Sequence, residues 1–472
     1  SSRPYALALK HYDWVKKEIE TLEKSGVIEE SLSPWASPIV VVPKKSAPGE
    51  PPRRRLCIDF RKINALQPEV LDGKSKGRAT LIPLPKIDDL FARLKGAQIF
   101  STLDLRSGYY HISLSKESQP KTAFVTPFGK WQFKQVPFGL AQAPAYFQQL
   151  MNKVVKKFDF AEAYLDDIII FSNTPEEHLK HLEDIFQELE TAGLKLKREK
   201  CDFFKQEIHY LGHIISVNGV KPLPDKLKAI QEMPAPTNPK EIRQFLGLAG
   251  YYRKFVPRFA DLSRPLTKLT RKDEKFVWTK ECQASFQILK ESLCKDPILK
   301  YPDTNKSYML FTDASKYAWA GVLTQGYPDE QGKTTQHPVA YVSGLFNKTQ
   351  VKWAALTKEA FAIYKSVKKL IIYTSGCEVL IKSDHKPLKR FLEKATQNEN
   401  VDRWALQLEG QKLKIDYIEG VKNTLADTLS RLIKLNPDIK KEPEPQGYEF
   451  GIKLADIPKV TVEALDCTLD SY

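Results

Sequence analysis

The chain has no CxxC pair. Its six cysteines (Cys57, Cys201, Cys282, Cys294, Cys377 and Cys467) are scattered, so neither a zinc knuckle nor a disulfide framework is indicated, and a reducing compartment fits. No apolar run approaches the ~18–20 residues of a membrane span. The first residues, SSRPYALALKHYDW, lack the apolar core of a signal peptide. The composition, 42% hydrophobic and 28% charged, predicts a soluble globular protein with no membrane partner. At 472 residues the chain is too long for one core, and about two to four domains are expected.

What the chain has in excess is positive charge. The net charge is +15, yet the tail Leu432–Tyr472 holds 5 Lys and 8 acids. The tail is therefore −3 and the remainder +18. A folded body this basic suggests a polyanionic partner, most simply nucleic acid.

The most informative stretch is Ala163–Phe171, AYLDDIIIF. Asp166 and Asp167 separate two runs with strand preference. No single strand favours Asp-Asp at its centre, whereas a tight turn tolerates it, so a β-hairpin with two carboxylates at its tip is predicted. These nine residues are equally compatible with a solvated turn. Two adjacent carboxylates are costly without a cation, and hard divalent ions favour such oxygens. A third carboxylate nearby would complete a metal site. Asp104, between Leu103 and Leu105 in the predicted strand AQIFSTLDLRSGYYHI, supplies a candidate. Taken alone it reads as surface-facing.

Along the chain, His11–Ser25 is predicted as a helix closed by Gly26. Strands are expected at Ile39–Val42 and LCIDF, with cations at their ends suited to phosphates. TAFVTPFGKWQF predicts a hairpin turning at Phe128-Gly129, followed by a helix opening near Pro144. Thr174-Pro175-Glu176-Glu177 and Asn238-Pro239-Lys240-Glu241 are helix starts. RKFVPRF and PLTKLTRK are basic with interleaved aromatics, a pattern for clamping a duplex through its phosphates; a bundle packed only on protein is the alternative. From Ser307 strands return, carrying Asp313 and Asp384. Glu359 lies in the first turn of a predicted helix Thr357–Leu370, and Asp427 in a last helix, NTLADTLSRL.

The ordered segments FSTLDLRSGYY, VPFGLAQAPAYFQ, AYLDD and IHYLGHIIS closely resemble the palm motifs of reverse transcriptases. Together with RQFLGLAGYYRKFVPRFA they resemble the gypsy-type LTR retrotransposon enzymes in particular. TDAS, TKEA, KSDH and ADTLSR resemble the ribonuclease H domains of the same elements. The resemblance implies an α+β right-hand polymerase of fingers, palm and thumb, followed by an α/β ribonuclease H-like domain. It assigns 1–219 to fingers and palm, 220–275 to the thumb, 276–306 to a linker, 307–432 to ribonuclease H, and 433–472 to an acidic Pro/Glu-rich tail. No separate connection domain is expected.

The resemblance also implies the sites. Asp104, Asp166 and Asp167 match the polymerase carboxylates, and Asp313, Glu359, Asp384 and Asp427 the nuclease quartet. Each set implies two Mg²⁺, with Mn²⁺ as a substitute. Lys44 and Arg55 match cations that contact the incoming triphosphate. Tyr109 matches a steric gate against ribose. Phe138 stands where many retroviral enzymes carry Gln. Leu211 and Gly212 fall in the expected primer grip. No His lies between Gln411 and Ala426, so Tyr417 is the candidate for the role a mobile His plays in many ribonucleases H. The implied partners are RNA template, DNA primer, RNA–DNA hybrid and dNTPs, bound by a monomer or by a dimer assembled on substrate, in cytoplasmic virus-like particles. The alternative of another class is a non-catalytic nucleic-acid-binding derivative, domesticated or a structural subunit.

Overall fold

The computed structural model describes residues 4–43, 54–66, 84–106, 108–295, 297–328, 332, 334–393 and 398–417. Lys44, Asp427 and the 433–472 tail lie outside the described residues. The chain divides into two units, one drawn from Ser1–Lys86 and Ile99–Lys205, the other from Ile87–Gln98 and Gln206–Phe450.

In the first unit, α1 (Tyr12–Lys24) buries Val15 and Ile19 and ends at Gly26, whose φ of 72° only a glycine adopts freely. Strands β1 (Ile28–Glu30), β2 (Ser37–Pro43) and β3 (Arg54–Ile58) precede the short helix α2 (Arg61–Ala65). The helix α3 (Ile87–Ala92) belongs to the second unit. Then come β4 (Ile99–Asp104), β5 (Phe124–Thr126) and β6 (Gly129–Phe133). One sheet has the order β1-β6-β5-β2-β3 and closes on α1 through Ile28, Ile39, Phe124 and Phe133. The hairpin β5–β6 turns at Pro127-Phe128, one residue earlier than expected, because Thr126 pairs with Gly129.

Helix α4 (Ala143–Val155), strands β7 (Ala161–Tyr164) and β8 (Asp167–Ser172), helix α5 (Pro175–Thr191) and strand β9 (Asp202–Lys205) build the second layer of this unit. The sheet order is β7-β8-β4-β9. Phe147 and Met151 of α4 and Leu182, Ile185 and Leu189 of α5 form one core with Leu103, Ile168 and Ile170 of the sheet. Thr174 caps α5 by accepting from the Glu177 N–H, and Glu177 reaches back to the Asn173 N–H, as the sequence predicts. The strand expected over AQIFSTLDLRSGYYHI stops at Asp104, and Gly108–His111 is a 3₁₀ turn. A Cβ at Gly108 would strike the Phe147 ring at 2.7 Å, so the chain passes too close to α4 for any larger residue.

The second unit opens with the meander β10 (Glu207–Tyr210), β11 (His213–Ser216) and β12 (Gly219–Pro222). Four helices follow: α6 (Pro224–Gln231), α7 (Pro239–Tyr251), α8 (Phe259–Lys268) and α9 (Lys280–Cys294). Next are β13 (Tyr308–Ala314), β14 (Ala318–Pro328), β15 (Thr334–Leu345), α10 (Ala355–Thr374), β16 (Val379–Ser383), α11 (Glu399–Gln407) and β17 (Leu413–Tyr417). The five-stranded sheet has the order β15-β14-β13-β16-β17, antiparallel on the β14 side of β13 and parallel on the β16 side. Helix α10 lies so close to β14 that a Cβ on Gly321 would run into Ser366.

Two boundaries differ from the sequence reading. The segment 276–306, whose spacing reads as a helix and linker, also packs into the helical region: α9 buries Phe286, Leu289 and Leu293, and the Phe286 ring lies 4.6 Å from Phe245 of α7. Residues 87–98 and 206–219, expected with the palm, belong to the second unit. Phe91 packs edge-on against His213, Lys254 pairs with Asp88 at 2.8 Å, and Val220 exchanges backbone hydrogen bonds with Leu299. Periodicity fixes each element's type but not which distant element shares its core.

Candidate active sites

The first centre is built by three strands. Asp104 is the last residue of β4, and it lies directly opposite Asp167, the first residue of β8. Tyr164 pairs with Asp167, so Leu165-Asp166 is the two-residue turn of the β7–β8 hairpin. The turn brings Asp166 beside the other two carboxylates. Leu165 has φ 55°, a left-handed conformation that costs a non-glycine residue about 1–2 kcal/mol.

That turn is held from beneath by a residue sequence reading missed. Gln148 of α4 is fully buried. Its Nε2 donates to the Ala163 carbonyl at 3.0 Å and its Oε1 accepts from the Leu165 N–H at 2.8 Å. One amide thus satisfies a carbonyl just before the strained residue and the strained residue's own N–H. The only signal in sequence is its place on the apolar face set by Phe147 and Met151, where a glutamine needs a partner. Deeper still, His178 of α5 bridges Ser101 of β4 and Ser172 of β8, at 2.7 Å each. The two strands that carry Asp104 and Asp167 are thereby stitched together behind the site.

The electrostatics are those of crowded acids. Burial, then the charges of Asp166 and Asp104, push Asp167 up to about 6. Lys200 opposes this, and its Nζ donates to Asp104 Oδ2 at 2.9 Å. Tyr109 sits edge-on to Phe138 at 4.8 Å and to Phe147 at 5.3 Å. Its phenol is raised by burial and by the Asp166 charge. Phe138 itself is exposed. Arg55 is exposed on β3 opposite Val42. Leu211 and Gly212 form the tight β10–β11 turn in the second unit, both with positive φ. Their carbonyls accept from the hydroxyls of Tyr251 (2.7 Å), the last residue of α7, and Tyr252 (2.6 Å), which follows it.

The second centre lies on the five-stranded sheet. Asp313 is near the end of β13, and Asp384 immediately follows β16. Glu359 of α10 is only 7% exposed, and its Oε1 accepts from the Ala314 N–H at 3.0 Å. Its Oε2 is buried without a hydrogen-bond partner. Burial, then the charges of Asp313 and Asp384, push Glu359 up to about 8. Burial also raises Asp313, opposed by Arg258. Tyr417 pairs with Ser383, one residue before Asp384, and Lys386 lies over its ring.

Among the described residues, no three His, Cys, Asp or Glu side chains close into a preformed metal cage. The donor sets nonetheless suit hard divalent ions. Both are all-oxygen, both contain a carboxylate raised by burial and then by its acidic neighbours, and one buried oxygen lacks a partner. Ions that keep water and substrate phosphate as ligands need only part of their shell from protein.

The basic segments of the helical region make protein contacts. Lys254 is on Asp88, Arg253 donates to the Ser343 carbonyl at 2.9 Å, and Arg258 is on Asp261 and Asp313. Three of the cations that sequence reading aimed at phosphates, those of RKFVPRF, are thus engaged within the second unit.

Two segments of the chain match two families. Residues 42–215 match reverse transcriptase (RNA-dependent DNA polymerase), and residues 278–381 match an RNase H-like domain found in reverse transcriptase. The chain is 39% identical over 434 residues to the Pol polyprotein of transposon 297 of Drosophila melanogaster, covering 91% of this chain and 39% of that protein. It is 36% identical to that of transposon opus from the same organism, over 94% of this chain and 44% of the relative. A Tf2-3 polyprotein of Schizosaccharomyces pombe is 33% identical over 95% of this chain and 33% of its own length. The chain thus spans well under half the length of these relatives. A foamy viral protease-reverse transcriptase in complex with dsDNA superposes with a TM-score of 0.73 at 25% identity, covering 89% of this chain and 85% of that one. The same viral protein in complex with RNA/DNA hybrid gives a TM-score of 0.70 at 24% identity, over 94% and 56% of the two chains. The chain is of the reverse transcriptase class, with an RNase H-like domain. Within that class it belongs to the gypsy-type LTR retrotransposon enzymes.

Proposed function

We propose that this chain copies RNA, and then DNA, into DNA, and degrades the RNA strand of RNA–DNA hybrids. The observation that carries the polymerase reading is the register that sets Asp104 opposite Asp167, with Asp166 in the adjoining turn. Three carboxylates at one sheet end suit nucleotidyl transfer. Asp104, Asp166 and Asp167 would hold Mg²⁺, or Mn²⁺ in its place. The ion supplies Lewis acidity toward the primer 3′-hydroxyl and the triphosphate. Tyr109, wedged between Phe138 and Phe147, limits the room beside the sugar and selects deoxynucleotides. Arg55, with Lys44, meets the triphosphate, and the Leu211-Gly212 turn supports the primer.

Asp313, Glu359 and Asp384, with Asp427, would hold the metal of the nuclease. Glu359 brings a buried carboxylate with an unoccupied oxygen to that set. Template RNA, primer DNA and the hybrid are the partners of this reading, and the foamy viral enzyme in complex with dsDNA supports a duplex partner by analogy.

The test is Mg²⁺-dependent extension of a DNA primer on a heteropolymeric RNA template, wild type beside Asp166→Asn. Extension by the wild type alone is expected, with a loss of roughly a thousandfold in the variant, about 4 kcal/mol of transition-state stabilisation. Binding of the hybrid without extension by either protein would favour the non-catalytic alternative. Extension by both would put the metal on another hairpin.

A further inference from the structure

The helical region of the second unit reaches into the nuclease centre. Arg258 precedes α8 with φ 51°, a left-handed conformation that a non-glycine residue adopts only under constraint. Its guanidinium donates to Asp261 Oδ2 at 2.9 Å, and its Nη1 lies 3.4 Å from Asp313 Oδ2. Ser315 donates to the other Asp261 oxygen at 3.3 Å. Arg258, Asp261, Asp313 and Ser315 thus line one small cleft with Trp319 and Ala320.

The register explains why this contact is built in. Asp313 pairs with Ala320, and Ala320 with Ser343, so the three form one row across β13, β14 and β15. The N-terminal end of α8 is pinned to that row. Ala260 N–H donates to Ser343 Oγ at 3.1 Å, and Arg253 donates to the Ser343 carbonyl. Phe259 and Ala260 are buried. Withdrawing the backbone of Arg258 would break this docking, and among the described residues its guanidinium pairs with two carboxylates, Asp261 and Asp313.

We infer that Arg258 is a positioning residue of the nuclease centre: a resident cation that competes with the divalent metal for Asp313, with Asp261 as its second seat. This rests on the reading of Asp313 as a nuclease metal ligand. A metal at Asp313 must draw that carboxylate away from Arg258, and Asp261 holds the displaced guanidinium. Arg258 therefore lowers the nuclease centre's metal affinity, and Asp261 partly restores it. The two residues act with opposite sign.

The test uses the full chain. Mn²⁺ binding is followed by calorimetry without nucleic acid, in an Asp166→Asn background that weakens the polymerase centre. The Mg²⁺ midpoint of hybrid cleavage is followed alongside. Arg258→Gln should tighten metal binding and lower the midpoint about fivefold, and Arg258→Lys should lie near wild type. Asp261→Asn should raise the midpoint by two- to threefold, because the guanidinium then has Asp313 alone. Circular dichroism identifies any variant that does not fold, and the oppositely signed partner then decides. An unchanged or raised midpoint in folded Arg258→Gln overturns the inference, as does a lowered midpoint in Asp261→Asn. The underlying reading fails separately, if Asp384→Asn cleaves hybrid as fast as wild type.

Discussion

The two carboxylate centres meet one problem, holding several like charges together, by different means. In the first, the acids come from strand ends and a two-residue turn, and the strain is in the backbone: Leu165 is left-handed and Gln148 anchors the peptides around it. In the second, the strain is electrostatic. Glu359 is buried on a helix with one unpartnered oxygen. Each centre has a protein cation on its strand carboxylate, Lys200 on Asp104 and Arg258 on Asp313. The lysine is 55% exposed and on a flexible stem, whereas the arginine is fixed by a docked helix. A hairpin turn is preorganised by hydrogen bonds, while the buried Glu359 meets its burial and its acidic neighbours by holding its proton to higher pH.

The sharpest break of this comparison is Glu359→Gln. Hybrid cleavage should fall roughly a thousandfold while primer extension persists; equal cleavage would remove Glu359 from the nuclease. Next in size is Gln148→Leu. It strips partners from the Leu165 N–H and the Ala163 carbonyl, a loss of about 1–3 kcal/mol. Extension should drop ten- to hundredfold with cleavage retained. Unaltered extension would mean that the turn needs no support.

A pH series separates the two kinds of strain. Glu359 rises from 4.5 to about 8 in the folded protein. Its protonated form is therefore favoured by folding, a contribution complete below about pH 4.5 and lost as pH rises through about 8. Asp167 rises from 3.8 to about 6, so its contribution is lost by about pH 6 to 7. In thermal melts with chelator, Glu359→Gln should gain stability over wild type, by about 1–2 kcal/mol at pH 8. That gain should still be growing between pH 6 and 8, where the gain of Asp167→Asn has levelled off. Coincident profiles would erase the distinction. The smallest effect is expected at Lys200→Gln. An exposed pair contributes about 0–1 kcal/mol, so the Mg²⁺ midpoint of extension should move less than about threefold. A larger shift would put Lys200 on a par with Arg258.

Much of this was legible in the sequence, for reasons that can be named. The hairpin was, because Asp-Asp between two apolar strands favours a turn, although the turn falls one residue early, on Leu165-Asp166, and Asp167 opens β8 instead of sharing the tip. So were the caps at Thr174 and Asn238, because their hydrogen bonds span only three residues. Asp104 alone read as a surface residue, since its pairing with Asp167 joins strands more than sixty positions apart. Gln148 was passed over because its partners, Ala163 and Leu165, lie on another element. Arg258 read as a phosphate contact, because a basic aromatic segment looks alike whether it faces nucleic acid or a carboxylate. Helix α9 was legible from the spacing of Phe286, Leu289 and Leu293, but its packing was not, because its partner Phe245 is distant in sequence.

The central claim is that one chain carries two separable carboxylate centres. Its most direct test is a single hybrid substrate labelled on both strands, so that one sample reports primer extension and RNA cleavage together. Wild type should do both in Mg²⁺. Asp166→Asn should lose extension and keep cleavage, and Asp384→Asn should do the reverse. Loss of both activities in either folded single variant, or of neither, would contradict the account.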